Sequence, residues 1–212
     1  MLTLIGSITI FLMQTPEVQT YRIQTSGKSY EVRIHRSIKN NSTSISNGKG
    51  VRQELIIPQP WSAEISTDKL DLPSAFLLKS KTLILAVVCT RPSGTWGFRS
   101  PVLFRLSEGR WKRLSYDPDK TSFSNRGSFY IDKDRLIVWD IFYDSNTSHW
   151  APQRYRICTF TIQSNRLKMI QRRLTKNRYA GGNSVGQPNN PRSGDDPLVE
   201  FGLHWKWWGS SK

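Results

Sequence analysis

Apolar and polar residues alternate along much of this chain with a period of two, the spacing of a strand that buries one face. Thr20 to Thr25 (TYRIQT) and Ser29 to Arg36 (SYEVRIHR) alternate in this way on either side of Ser26-Gly27-Lys28, which predicts a β-hairpin. Leu83 to Cys89 (LILAVVC) is apolar on both faces, as a central strand covered from both sides must be. Arg135 to Asp144 (RLIVWDIFYD) is a second such strand. Its Leu136, Val138, Asp140 and Phe142 share one face, and Ile137, Trp139, Ile141 and Tyr143 the other. Val102 to Ser107 pairs with Arg110 to Ser115 across Glu108-Gly109, and Tyr155 to Gln163 with Arg166 to Leu174 across Ser164-Asn165. Arg52 to Ile57 adds a strand that Pro58 and Pro60 end.

Two of these stretches share a layout. Ser74-Ala75-Phe76-Leu77 answers to Ser128-Phe129-Tyr130-Ile131, and Leu83-Ile84-Leu85 to Leu136-Ile137-Val138. Phe104, Leu106, Arg110, Lys112 and Leu114 match Phe160, Ile162, Arg166, Lys168 and Ile170. A spacing of about 54 residues is in the range of a copied supersecondary unit. The pattern therefore predicts an all-β fold of antiparallel meanders from an internal duplication of residues 74–115 and 128–171. A compact barrel or sandwich over residues 21–174 is the expected closure, with propeller-blade-like units as the alternative.

The remaining segments lack that alternation. Asn40 to Gly50 (NNSTSISNGKG) is Ser, Asn and Gly, and reads as a surface loop. Trp61 to Asp71 has no clean period and admits a short helical turn, stopped by Pro73. Residues 175–197, rich in Gly, Asn, Pro and charge, read as a flexible linker. Residues 198–212 end the chain with Phe201, Leu203, Trp205 and Trp207 at period two, which predicts a last aromatic strand docked on the body. Met1 to Met13 (MLTLIGSITIFLM) has the length of a signal-peptide apolar region, so residues 1–20 are a candidate targeting segment. The competing reading is a buried first strand, which would leave the protein cytoplasmic rather than exported.

Charge changes the picture more than composition does. Apolar content is 37% but eight Trp residues supply core material, so a folded body is expected. The net charge of +15 calls for a polyanionic partner or for solubility by self-repulsion. Basic residues concentrate at Arg154, Arg156, Arg166, Lys168, Arg172, Arg173, Lys176 and Arg178, on a hairpin that could present them as one stripe to phosphate, sulfate or anionic headgroups. Trp96 with Arg99, and Trp150 with His149, fall in two corresponding loops, where an indole can stack on a sugar or base and the arginine hold an anion. Asp140 stands out as a carboxylate in an apolar strand, which must be paired, hydrogen-bonded or facing a cavity.

For catalysis the inventory is poor. No GxSxG, HExxH or phosphate-cradling Gly loop is present, and His35, His149 and His204 are widely separated. Cys89 and Cys158 lie in apolar runs without metal-ligand spacing, so both are expected to be buried, and no metal or cofactor is expected. The leading expectation is a monomeric, non-enzymatic, exported β-domain that binds an anionic glycan, lipid headgroup or acidic protein. Nucleic acid bound with aromatic stacking is the first alternative, and a weak hydrolase centred on Asp140 the second.

Overall fold

The computed structural model describes residues 14–15, 18–25, 28–35, 42–47, 49–64, 75–79, 83–91, 97–124, 127–132, 134–143, 153–179 and 197–203. Among them the fold is all-β and antiparallel, with only two 3-10 turns, Pro118–Thr121 and Val199–Phe201. The first sheet runs β1 (Gln14–Thr15), β2 (Val18–Thr25), β3 (Lys28–His35), β4 (Ser42–Asn47) and β5 (Arg52–Glu54) in chain order. The second holds β6 (Ser62–Ala63), β7 (Ala75–Lys79), β8 (Leu83–Arg91), β9 (Phe98–Ser107) and β10 (Arg110–Arg113), with β6 and β7 both pairing β8. The third is a four-stranded meander of β11 (Ser128–Asp132), β12 (Arg135–Phe142), β13 (Arg154–Gln163) and β14 (Arg166–Leu174).

Burial follows the alternation. In the first sheet Tyr21 and Ile23, Tyr30 and Val32, and Ile45 are in register on one face and buried, while Arg22 and Arg33 on the other face are exposed. Each such apolar side chain contributes about 1.5–3 kcal/mol on leaving water. In the third sheet both faces are buried: Leu136, Val138 and Phe160 on one, Ile137, Trp139 and Ile157 on the other. Central strands without alternation, as in β8 and β12, are the sequence mark of that two-sided cover.

Four segments differ from the pattern reading. Ser42–Asn47 is strand β4, not loop, because Thr43 and Ile45 turn into the core beside Ile34 and Val32 while the small polar residues between them pack flat against β3 and β5. Ladder hydrogen bonds and two β-branched residues outweigh the loop propensity of Ser and Asn. Strand β5 stops at Glu54, three residues short of the expected Ile57. Ser62–Ala63, in the stretch read as a helical turn, pairs with Thr90 and Cys89. Residues 198–203 form a 3-10 turn closed by Gly202 at φ 65°, not a strand, and the other aromatics of that tail lie outside the described residues.

The stretches 74–115 and 128–171 do fold in the same strand order, β7-β8-β9-β10 and β11-β12-β13-β14. Their second hairpins also share a register, since Arg110 faces Ser107 as Arg166 faces Gln163. The first hairpins do not: Leu77 faces Leu85, whereas the matching Ile131 faces Leu136 instead of Val138. The chain divides into two compact units where the pattern read one domain. The first unit takes the described residues up to Arg91 and residues 102–114, and the second takes residues 97–101 and 115–203. Residues 1–13, and with them the targeting segment, lie outside the described residues.

Candidate functional site

The basic hairpin is formed by β13 and β14, joined through Ser164-Asn165 with Ser164 at φ 46°. The tight turn fixes which side chains stand together. Gln163 faces Arg166 and Thr161 faces Lys168, so Arg166 and Lys168 share the face of Tyr155 and Ile157. A bulge then shifts the register between Thr159 and Phe160, with Gln171 opposite the first and Met169 opposite the second. Ile170, the extra residue, is 54% exposed. Beyond the bulge Arg172 faces Cys158 and Arg173 faces Ile157.

The consequence is a division of charge. Arg154, Arg156 and Arg172 lie on one face of the hairpin, and Arg166, Lys168 and Arg173 on the other. The single stripe that the sequence pattern predicts is thus two groups of three, brought together only along the edge strand β14. Ser115 bridges that strand at Arg166, and Arg166, Lys168, Arg172 and Arg173 are all exposed. None of the six forms an ion pair among the described residues. Arg173 lies over the Phe201 ring at 5.6 Å, and the Nε of Arg154 is buried with no hydrogen-bond partner.

Asp140 sits behind one of these groups, opposite Arg156 in register and only 6% exposed. Its Oδ1 accepts from Ser124 Oγ at 2.6 Å and from the Ile141 N–H at 2.8 Å. Burial pushes the carboxyl above its ordinary value of 3.8, against those hydrogen bonds and the charge of Arg156. A Cβ on Gly127 would stand 2.9 Å from the same oxygen and would clash with the Trp139 carbonyl, so only glycine fits there. The carboxylate ties Ser124 onto β12. Cys158 is buried on the same face, and burial raises its thiol while Arg156 and Arg172 act the other way. Cys89 is also buried, and both thiols are free.

The end of the hairpin is clamped by residues that the pattern assigned to a linker. Thr175 is buried; its hydroxyl accepts from the Tyr155 N–H at 2.9 Å and donates to the Asn177 carbonyl at 2.9 Å. Tyr179 pairs with Gln153 through both main-chain groups. The Glu200 carboxylate accepts from the Lys176 N–H at 2.7 Å, the Asn177 N–H at 3.0 Å and Tyr179 Oη at 2.7 Å. Burial works to raise the Glu200 carboxyl, but these donors outweigh it and hold it below its ordinary value.

Of the other predicted site residues, Arg99 lies in β9, where its main chain pairs with Phe123, and not in a loop. Trp96, His149 and Trp150 lie outside the described residues. Four cations that the pattern did not single out, Lys28, Lys49, Arg52 and Arg110, gather around one cleft of the first unit. Their separation along the chain gives no linear signal. Among the described residues no group of His, Cys, Asp and Glu could hold a metal ion, and no helix is long and apolar enough to cross a membrane. No known protein family, characterised protein or solved structure matches this chain.

Proposed function

We propose that this protein is a non-enzymatic β-protein, working in an exported compartment, that binds polyanions through the β13–β14 hairpin. One observation carries the reading: residues 153–179 hold Arg154, Arg156, Arg166, Lys168, Arg172, Arg173, Lys176 and Arg178 and not one Asp or Glu. Eight like charges on a short segment repel one another, and an anionic polymer relieves that repulsion by releasing its own counterions. Arginine forks suit phosphate and sulfate oxygens, and sulfated glycans fit an exported protein better than nucleic acid does. Heparin chromatography tests this. The wild type should elute well above physiological salt of about 0.15 M, and R166S/K168S earlier. Elution of both below that salt would count against the proposal.

The place of β14 at the sheet edge favours a second reading. Charged side chains and a bulge on an edge strand are also how proteins prevent pairing with another chain. On that reading R166S/K168S would aggregate while its heparin elution stayed at the wild-type position.

A further inference from the structure

The first unit carries a cleft of about 610 Å³ at its hairpin ends. Its rim comes from three turns. Lys28 begins β3 after the β2–β3 turn; Lys49 lies in the β4–β5 turn and Arg52 begins β5; Arg110 begins β10 after Glu108-Gly109. Gly50 at φ 78°, and Glu108 and Gly109 at φ 53° and 75°, hold two of these turns in left-handed conformations that fix where Arg52 and Arg110 emerge. The Asn47 carboxamide braces the β4–β5 turn, its Oδ1 accepting from the Lys49 and Val51 N–H groups at 3.1 Å each.

The floor is rigid. Trp111 and Tyr30 line it and meet edge to face, 5.6 Å between ring centres, both buried. Gln53 joins strands β5 and β10 as a backbone would: its Nε2 donates to the Trp111 carbonyl at 2.6 Å and its Oε1 accepts from the Trp111 N–H at 2.8 Å. Tyr30 makes no side-chain hydrogen bond among the described residues. Burial raises its hydroxyl above the ordinary value of 10.0, so at neutral pH it remains an O–H donor.

Charge decides what such a cleft accepts. No Asp or Glu is among its lining residues. Of the carboxylates on these strands and turns, Glu31 binds Arg22 and Arg33 at 3.3 and 2.6 Å, Glu108 binds Lys112 at 2.9 Å, and Glu54 stands two residues along β5 from Arg52. Four exposed cations thus line one concavity that no carboxylate lines. Volumes of a few hundred Å³ suit small ligands rather than polymer strands, and four cations call for several negative groups on the ligand.

We infer that this cleft binds a compact small molecule bearing several phosphate or sulfate ester groups. Arg52 and Arg110 offer forks to the oxyanions, Lys28 and Lys49 point charges, and the Tyr30 hydroxyl a neutral donor. The lining residues all belong to the first unit, and the polyanion hairpin to the second.

Calorimetric titration of the full chain with myo-inositol hexakisphosphate, and separately with a fully sulfated heparin disaccharide, tests the assignment at low salt. At least one of the two should bind saturably at one per chain, and the arm that binds identifies the ester as phosphate or sulfate. R52S/R110S should weaken that binding by about tenfold or more, whereas R166S/K168S should leave it within about twofold. These positions are exposed, and K28S/K49S provides an independent variant should the first fail to fold. Absence of saturable binding in both arms, cleft variants that bind as the wild type does, or equal loss in the hairpin variant would each overturn the inference.

Discussion

At Asp140 the chain keeps a carboxylate inside a sheet, and two substitutions separate its charge from its hydrogen bonds. Asparagine retains an oxygen for Ser124 Oγ and the Ile141 N–H, while alanine leaves both donors without an acceptor. D140A should therefore lose about 1–3 kcal/mol in chemical denaturation, and D140N much less. The pH dependence has a definite sign. Because the folded-state carboxyl is raised above 3.8, the folded protein holds its proton longer than the unfolded chain does. Stability from this group is therefore greatest at acid pH and falls as pH rises from 3.8 upward, and D140N should flatten that fall. A D140N curve parallel to the wild type between pH 4 and 6 would show that the charge plays no such part. Gly127→Ala should cost about 1–3 kcal/mol by the same packing, since its Cβ would meet main-chain and side-chain atoms closer than 3 Å.

At the scale of elements, the Glu200 clamp makes residues 175–179 part of the second unit. Its carboxyl is held low, so its contribution is present above the ordinary value of 4.5 and is lost as pH falls through the depressed folded value. Glu200→Gln keeps one acceptor and removes the charge, and hydrogen exchange at Lys176 and Asn177 should then quicken at neutral pH. Unchanged protection at those two amides would contradict the clamp. Strands were legible in the sequence where alternation or a two-residue turn announced them, as in β3, Glu108-Gly109 and Ser164-Asn165. Strand β4 was not, because Ser, Thr and Asn carry little apolar signal and only pairing with β3 and β5 makes them a strand. The division of the basic residues was hidden for a different reason. Which group Arg172 and Arg173 each join depends on one bulge: had Ile170 paired with Thr159, Arg172 would stand opposite Ile157 and not Cys158. The cleft cations were beyond sequence reading altogether, since three turns must fold before Lys28, Arg52 and Arg110 meet.

For the whole molecule, each compact unit holds one buried free thiol, Cys89 in the first and Cys158 in the second. Burial raises both above their ordinary value, so the reactive thiolate is scarce in each. Labelling under native conditions should run about a hundredfold or more slower than in denaturant for both residues. Equal rates for either one would show that its unit opens freely.

The account rests most on the charge of the β13–β14 hairpin, and salt dependence reads that charge directly. A single-stranded oligonucleotide serves as a polyanion of known charge spacing. A strand lying on the face of the three exposed cations Arg166, Lys168 and Arg173 would lose log affinity with log salt at a slope of about −2. A strand wrapped around the β14 edge would meet all six, with a slope of about −4. R166S/K168S should reduce either slope by about 1.4. Binding whose slope is near zero in the wild type, or unchanged in the double variant, would contradict the assignment of this hairpin as the polyanion site.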